Sequence, residues 1–243
     1  MERQTVSSQP FRSGFRYESL HFPSLRLEFA EGNRIVTESP VPLRTISNAV
    51  HMGGAAEADK IVNWKVPLDY SSDDPVLDIS ERMNEWGCDP ARTVGLLTAA
   101  KLTHAAVAEE QGDRFSLLCC TTAGTGNGAR AGVLRRTYSA YEAGTINIVV
   151  LIDGEMTDAA MVNAVLTATE AKAAALQDLK LVDAETGLTA TGTTTDAIVV
   201  GVSRNGGYGE VHPFAGTATT IGNAIGRLVY ETVLEACRTQ GDA

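Results

Sequence analysis

Apolar and polar positions change register several times along this chain, and each change marks an element. Leu25, Leu27 and Phe29 alternate with polar residues, Ile35 and Val36 follow, and Glu31-Gly32-Asn33 lies between. That pattern predicts a β-hairpin. Ser39 to Pro42, with two prolines, breaks it, and Thr45 to Gly54 is short, intermittently polar and closed by Gly53-Gly54. Asp74-Pro75 supplies an N-cap and a first-turn proline for a helix over Val76 to Trp86, and Gly87 supplies its stop. Val94–Ala100, Ala105–Ala108 and Phe115–Cys120 are apolar runs of strand length, the last entered through Gln111-Gly112-Asp113. Gly144 to Ile152 is the clearest strand, rich in β-branched residues. Thr157 to Leu179 has the Ala, Leu, Met, Glu and Lys content of a helix, with Thr157 as its cap. Ala197–Val202 is a further strand. Gly216 to Arg238 predicts a carboxy-terminal helix with Ile221, Ile225, Leu228, Val229, Val233 and Leu234 on one stripe.

The expected fold is therefore α/β (α+β): a mixed β-sheet with packed helices, in a single domain over residues 14–243. Residues 1–13 are polar and expected to fray as a flexible amino terminus. An offset of 69 residues aligns Leu97-Thr98-Ala99 with Leu166-Thr167-Ala168 and Thr122 with Thr191. The matches are mostly abundant Thr and Ala and set strand against helix, so no repeat is inferred.

Three polar segments sit at the edges of apolar runs: Thr121–Asn127, Gly144–Asn147 and Thr189–Asp196. Loops at strand ends are where a rigid scaffold carries its chemistry. Glycine lets the backbone approach a ligand, and Thr, Asn and Asp supply short hydrogen-bonding groups. Together they predict one polar pocket, with Asn127, Asn147 and Asp196 lining it. In the last segment Gly192 is expected to adopt a positive φ and turn successive threonines toward one ligand.

The net charge of −10 argues against a nucleic-acid partner, which needs a basic face. No apolar run approaches the ~20 residues of a membrane helix, and the polar start has no apolar signal region. A cytoplasmic protein is expected. Cys88, Cys119, Cys120 and Cys237 form no C-x-x-C pair and suit buried thiols in a reducing compartment, Cys119 and Cys120 pointing to opposite faces of a strand.

No G-x-S-x-G elbow, H-E-x-x-H or Walker loop is present, and His21, His51, His104 and His212 lack metal-ligand spacing. The Gly124–Gly128 stretch departs from a dinucleotide fingerprint at Ala129. Glu170 and Lys172, two apart on the second helix, point in different directions. From spacing alone they suit a solvated helix face; their small, apolar neighbours Ala171, Ala173, Ala174, Ala175 and Leu176 point instead to a partly buried turn, where a charge needs a partner.

From Thr45 to Ala236 the order and spacing of short motifs resembles the adenosylcobinamide amidohydrolase family of corrinoid salvage. The motifs are Ile46-Ser47-Asn48-Ala49 with Gly53-Gly54, Ile61-Val62-Asn63, Asp74-Pro75, Val94–Ala100, the Thr121–Asn127 loop, Arg130-Ala131-Gly132, Gly144–Ile148, Thr169-Glu170-Ala171-Lys172 and Ala190–Asp196. Gly128 departs from the alanine expected there. The resemblance implies hydrolysis of the amide joining aminopropanol to the corrin ring, giving adenosylcobyric acid and 1-amino-2-propanol. It makes the small-molecule corrinoid the partner, with no nucleic acid and no membrane, and is compatible with a homo-oligomer. The corrinoid is substrate, so no cofactor is expected, and a metal requirement stays open. On this resemblance Glu170, Asp196 and Lys172 are the expected catalytic residues. Asn48, Asn63, Thr122, Asn127, Asn147, Thr191 and Thr193 are expected to bind substrate.

Two routes to amide hydrolysis fit these residues. In one, Glu170 or Asp196 acts as base on water while Lys172, Asn127 or a loop N–H holds the oxyanion. In the other, Thr122 or Thr193 attacks, activated by a neighbouring base. The lack of a nearby histidine favours the carboxylate route, and metal-assisted attack is a third. A corrinoid-binding protein without hydrolysis is the competing function. A nucleotide-dependent transferase using Gly124–Gly128 lacks the Walker lysine.

Overall fold

The computed structural model describes residues 7–137 and 145–242. The chain runs β1 (Arg16–Glu18), β2 (Arg26–Ala30), β3 (Arg34–Ser47), β4 (Gly54–Lys65), α1 (Pro75–Glu85), β5 (Thr93–Thr98), β6 (Ala106–Gln111), β7 (Ser116–Ala123), β8 (Gly128–Ala129), β9 (Ile146–Asp153), α2 (Asp158–Asp178), β10 (Gly192–Thr193), β11 (Ala197–Val202) and α3 (Thr220–Thr239). Among the described residues nine of these strands form one mixed sheet, the fold class the sequence predicts.

The sheet branches at β3. One side of β3 carries β4 along its whole length. The other side pairs with β2 over residues 34–38 and with β11 over 44–47. Ser39 to Pro42 lie where the register shifts, so the prolines make a bulge and the strand resumes beyond them. From β11 the sheet continues through a parallel β9, then antiparallel β7 and β6. On the other side β5 adds in parallel to β4.

This branching curls the sheet into a sandwich. Ile148, Val150, Ile152, Val200 and Leu117 face α2 and α3. The alternate residues Val149, Leu151, Val199, Leu118 and Cys120 pack against Leu25, just before β2, and Leu27, Ile35, Leu43, Ile61 and Leu96 from β2 to β5. The middle strands are buried on both faces, which is why β9 reads as an unbroken apolar run. Cys119 and Cys120 fall in different clusters, as the period-2 argument requires. Burial raises both thiols, Cys119 to about 11. Against the outer face of β4 and β5 lies α1, through Ile79 and Met83 on Val62.

Helix ends follow local chemistry. The Asp74 side chain accepts from the Leu77 N–H at 3.0 Å, and Gly87 takes φ +69° at the stop. Thr157 caps α2 through the Ala160 N–H at 3.1 Å. The helix α3 starts at Thr220, later than the pattern suggests, because Thr219 caps it by accepting from Gly222 N–H at 3.0 Å and turns back onto Gly216 O at 2.8 Å.

Two expectations change. β4 is a strand of 12 residues that the sequence pattern does not announce. Its first half, Ala55 to Lys60, is alanine and charge, and pairing with β3 imposes the strand there. The described part of the amino-terminal stretch is also not frayed. Ser8 exchanges backbone hydrogen bonds of 2.8 Å with Val107, and Phe11 is buried. Residues 1–6 of that stretch, and Gly144 of the predicted β9 strand, lie outside the described residues. Among the described residues, no helix is long and apolar enough to cross a membrane.

Replacing the α1 cap tests this local account. Asp74→Ala is expected to cost about 1 kcal/mol, measured as a lower urea midpoint at unchanged m-value.

Candidate functional site

The three polar segments do converge, at the end of the sandwich where β9 and β11 begin and β7 finishes. Pairing of Thr122 with Asn147 and of Asn147 with Ala197 sets them side by side. This is the amino end of the parallel pair, opposite to the strand end where open α/β sheets usually bind ligands. A cavity of about 930 Å³ opens here, lined among others by Asn48, Thr145, Asn147, Lys172, Thr191, Thr193 and Asp196.

At its centre is a buried ion pair. Lys172 Nζ on α2 contacts Asp196 Oδ2, with side-chain exposures of 8% and 10%. The same carboxylate takes the Thr193 N–H at 3.0 Å and the Ile146 N–H at 3.1 Å, and the Thr193 hydroxyl donates to its Oδ1. Four donors thus fix one carboxylate. Lys172 has three N–H donors, and among the described residues only Asp196 receives one. Cys237 also lies near. Burial, then the Asp196 charge, pushes its thiol up to about 12, so it stays protonated.

Behind the cavity runs a chain of side-chain amides. Asn147 Nδ2 donates to Asn63 Oδ1 and to Leu97 O, both at 2.9 Å, and Asn63 Nδ2 donates to Thr122 Oγ1 at 2.8 Å. Thr145 hydroxyl donates to Asn147 Oδ1 at 3.2 Å and to Thr195 O at 2.7 Å. Asn63 and Thr122 are buried and do not line the cavity; they hold Asn147 in place. Asn48 binds the main chain around the acid, donating to Asp196 O at 2.7 Å and accepting from Ile198 N–H at 2.8 Å.

Two further expected side chains also sit off the cavity. Glu170 is exposed, and among the described residues its side chain makes no hydrogen bond or ion pair. On α2, Ala168, Lys172 and Ala175 face inward, and a residue two positions from both Ala168 and Lys172 points away from them. The partly buried turn expected around Glu170 does not extend to Glu170 itself. Asn127 also does not line the cavity; its Nδ2 donates to Thr194 Oγ1 at 2.7 Å and ties one loop to the next.

The turn chemistry differs as well. Gly192 has no positive φ. Its value is the absent side chain: a Cβ there would strike the Asp196 carboxylate and lie 2.9 Å from Lys172 Nζ. Gly192 and Thr193 pair with Ala129 and Gly128, and the Thr191 hydroxyl accepts from Ala131 N–H at 2.9 Å. So Thr191 anchors the cavity wall. Asp196 both closes the turn onto Thr193 and balances Lys172.

The pattern of the sequence does not reveal the rim. Asp183 is wholly buried and accepts Arg130 N–H at 3.0 Å, Glu185 N–H at 3.0 Å and Arg135 Nη1 at 3.1 Å. Burial raises this carboxyl, and these donors outweigh it, so it titrates below the usual range. The clasp holds Arg130, Ala131, Arg135 and Arg136 along the cavity. Among the described residues no three His, Cys, Asp or Glu side chains gather as a metal-binding group.

Asn147→Leu keeps the volume and removes the amide. It leaves Asn63 Oδ1 and Leu97 O without their donor, so a loss of about 2 kcal/mol or more is expected in denaturant unfolding. Gly192→Ala is expected to displace the buried ion pair, lowering the thermal midpoint and costing most of the activity of the fraction that folds.

The sequence family described as adenosylcobinamide amidohydrolase matches residues 22–243. The adenosylcobinamide amidohydrolase of Methanosarcina mazei is 30% identical over 196 residues, covering 78% of this chain and 88% of that one. The adenosylcobinamide amidohydrolase of Halobacterium salinarum is 32% identical over 188 residues, 74% of each chain. An uncharacterized protein of Methanocaldococcus jannaschii is 32% identical over 196 residues, 73% of this chain and 71% of its own. With the family matched over nearly its whole length, this chain belongs to the adenosylcobinamide amidohydrolase family.

Proposed function

We propose that the protein hydrolyses the aminopropanol amide of adenosylcobinamide, releasing adenosylcobyric acid and 1-amino-2-propanol in cobalamin salvage. The observation that carries this reading is the Thr193–Asp196–Lys172 constellation on the cavity wall. It supplies what amide cleavage requires: a nucleophile within hydrogen-bond reach of a base, a group that orients the base, and a donor for the oxyanion.

Between the two attack routes, the geometry favours threonine, and Thr193 over Thr122. Thr122 is fully buried and outside the cavity lining. Thr193 lines the cavity and already donates to Asp196 Oδ1. In the reading supported here, Thr193 Oγ adds to the amide carbon as its proton passes to Asp196. The carbonyl oxygen, now negative, is held by the unshared N–H groups of Lys172. Asp196 then returns the proton to the departing nitrogen as the C–N bond breaks. The amine leaves, and an ester remains on Thr193. Water, deprotonated by Asp196, cleaves the ester, restoring the threonine hydroxyl and freeing the carboxylic acid. Glu170, out on the solvent face, has no step here.

Low-dielectric surroundings strengthen the contribution of Lys172, because a buried ammonium acts on a developing charge with little solvent screening. Pairing with Asp196 keeps that ammonium tolerable while the site is empty.

The direct assay incubates the protein with adenosylcobinamide, with and without a chelator, and follows adenosylcobyric acid and free 1-amino-2-propanol. Corrinoid binding without amine release would instead mark a binding protein. Hydroxylamine separates the routes: an ester intermediate diverts product to the corrinoid hydroxamate. Thr193→Val is expected to lower turnover on the order of 10³-fold, with Thr193→Ser retaining part of it. Undiminished turnover in Thr193→Val, with no hydroxamate from wild type, would return the chemistry to a water activated by Asp196. Glu170→Gln is expected to match wild type in turnover.

A further inference from the structure

A second, smaller cavity of about 330 Å³ adjoins the first. The two share Asn48, Thr169, Lys172 and Asp196, so the ion pair belongs to both walls. The rest of the small cavity is Ile46 and Ser47 from the end of β3, Ile198 from β11, and Val162 and Val165 from α2. Along α2 the lining residues are Val162, Val165, Thr169 and Lys172, separated by three, four and three positions. That spacing is one helical stripe running up to the ammonium.

The chemistry of the two walls differs. The large cavity is rimmed by Arg130, Arg135 and Arg136 and floored by Asn147 and the threonines. In the small one four branched aliphatic side chains face a short polar set, Ser47, Asn48 and Thr169, and the only charges are the mutually neutralised Lys172 and Asp196. A scissile amide held by Lys172 has its acyl part on one side and its amine part on the other. The large cavity suits the corrin body. About a third of the volume of the large cavity, the small one suits a short amino alcohol and not a macrocycle.

We infer that the small cavity is the leaving-group subsite, taking a short, uncharged, branched amino alcohol as its amide. The branch methyl lies on Val162, Val165 and Ile198, and the hydroxyl lies toward Ser47 and Thr169. This inference rests on the amide hydrolysis proposed above and makes Val162 a specificity-determining residue of it. It also accounts for apolar residues on the outer part of α2: Val162 is 48% exposed, and its side chain borders the cavity without being needed for the core.

The test uses Val162→Phe, which fills the subsite from an exposed position, and N-(2-hydroxypropyl)acetamide as an uncharged mimic of the amine half. In wild type the mimic is expected to compete with adenosylcobinamide. In Val162→Phe its inhibition constant should rise, and kcat/KM for adenosylcobinamide should fall, each by tenfold or more. Inhibition by adenosylcobyric acid, which occupies the large cavity, and the thermal midpoint should stay at wild-type values. Val162→Ala should raise the relative rate on an analogue carrying a longer amino alcohol. Unchanged kinetics and inhibition in both variants overturn the subsite alone, as does an equal loss of adenosylcobyric acid inhibition in Val162→Phe. A wild-type chain that releases no amine from adenosylcobinamide overturns the hydrolysis and the subsite together.

Discussion

A charge pair taken out of water governs this structure. Lys172 and Asp196 are each about one-tenth exposed at the side chain, and a single ion so placed would cost several kcal/mol. The neighbourhood is arranged to make the pair tolerable. Two backbone N–H groups and a hydroxyl complete the acid, and Gly192 is reduced to a hydrogen so that both heads fit. Asn48 pins the main chain on either side of Asp196. The Thr189–Asp196 segment and the start of β9 take their shapes in part from these contacts.

A second, uncharged device supports the first. The amide chain from Asn147 through Asn63 to Thr122 joins β9, β4 and β7, strands from both halves of the curled sheet. Buried amides of this kind have no cheap alternative geometry, because every unmet donor or acceptor costs desolvation. The site floor is therefore also a seam of the fold.

Elements with strong local signals were legible in the sequence. The cap Asp74-Pro75, the stop Gly87, the cap Thr157 and the apolar run of β9 all act through neighbours in the chain. The convergence of the threonine loops was legible too, since each sat at a strand edge. The first half of β4 was not, because a run of Ala, Glu, Asp and Lys is held as strand by its partner β3 and not by its own residues. For Glu170 spacing and composition pointed apart: its small neighbours suggested burial, but helical geometry turns it away from the face they bury, leaving the solvated face that spacing suggested. Gly192 was rightly singled out for the wrong property, since its backbone is ordinary and its missing Cβ is what counts. The Asp183 clasp joins positions about fifty residues apart and left no local trace.

The parallel pairing of β9 with β11 has a kinetic consequence. The ion pair closes across 24 residues, Asn147 reaches Asn63 across 84, and Asn48 reaches Asp196 across 148. Closing loops of such length before any contact rewards them is slow, and such contacts form together late. The candidate site exists only where segments from residue 48 to residue 196 are assembled, so a ligand held at this cavity would report that this span is intact.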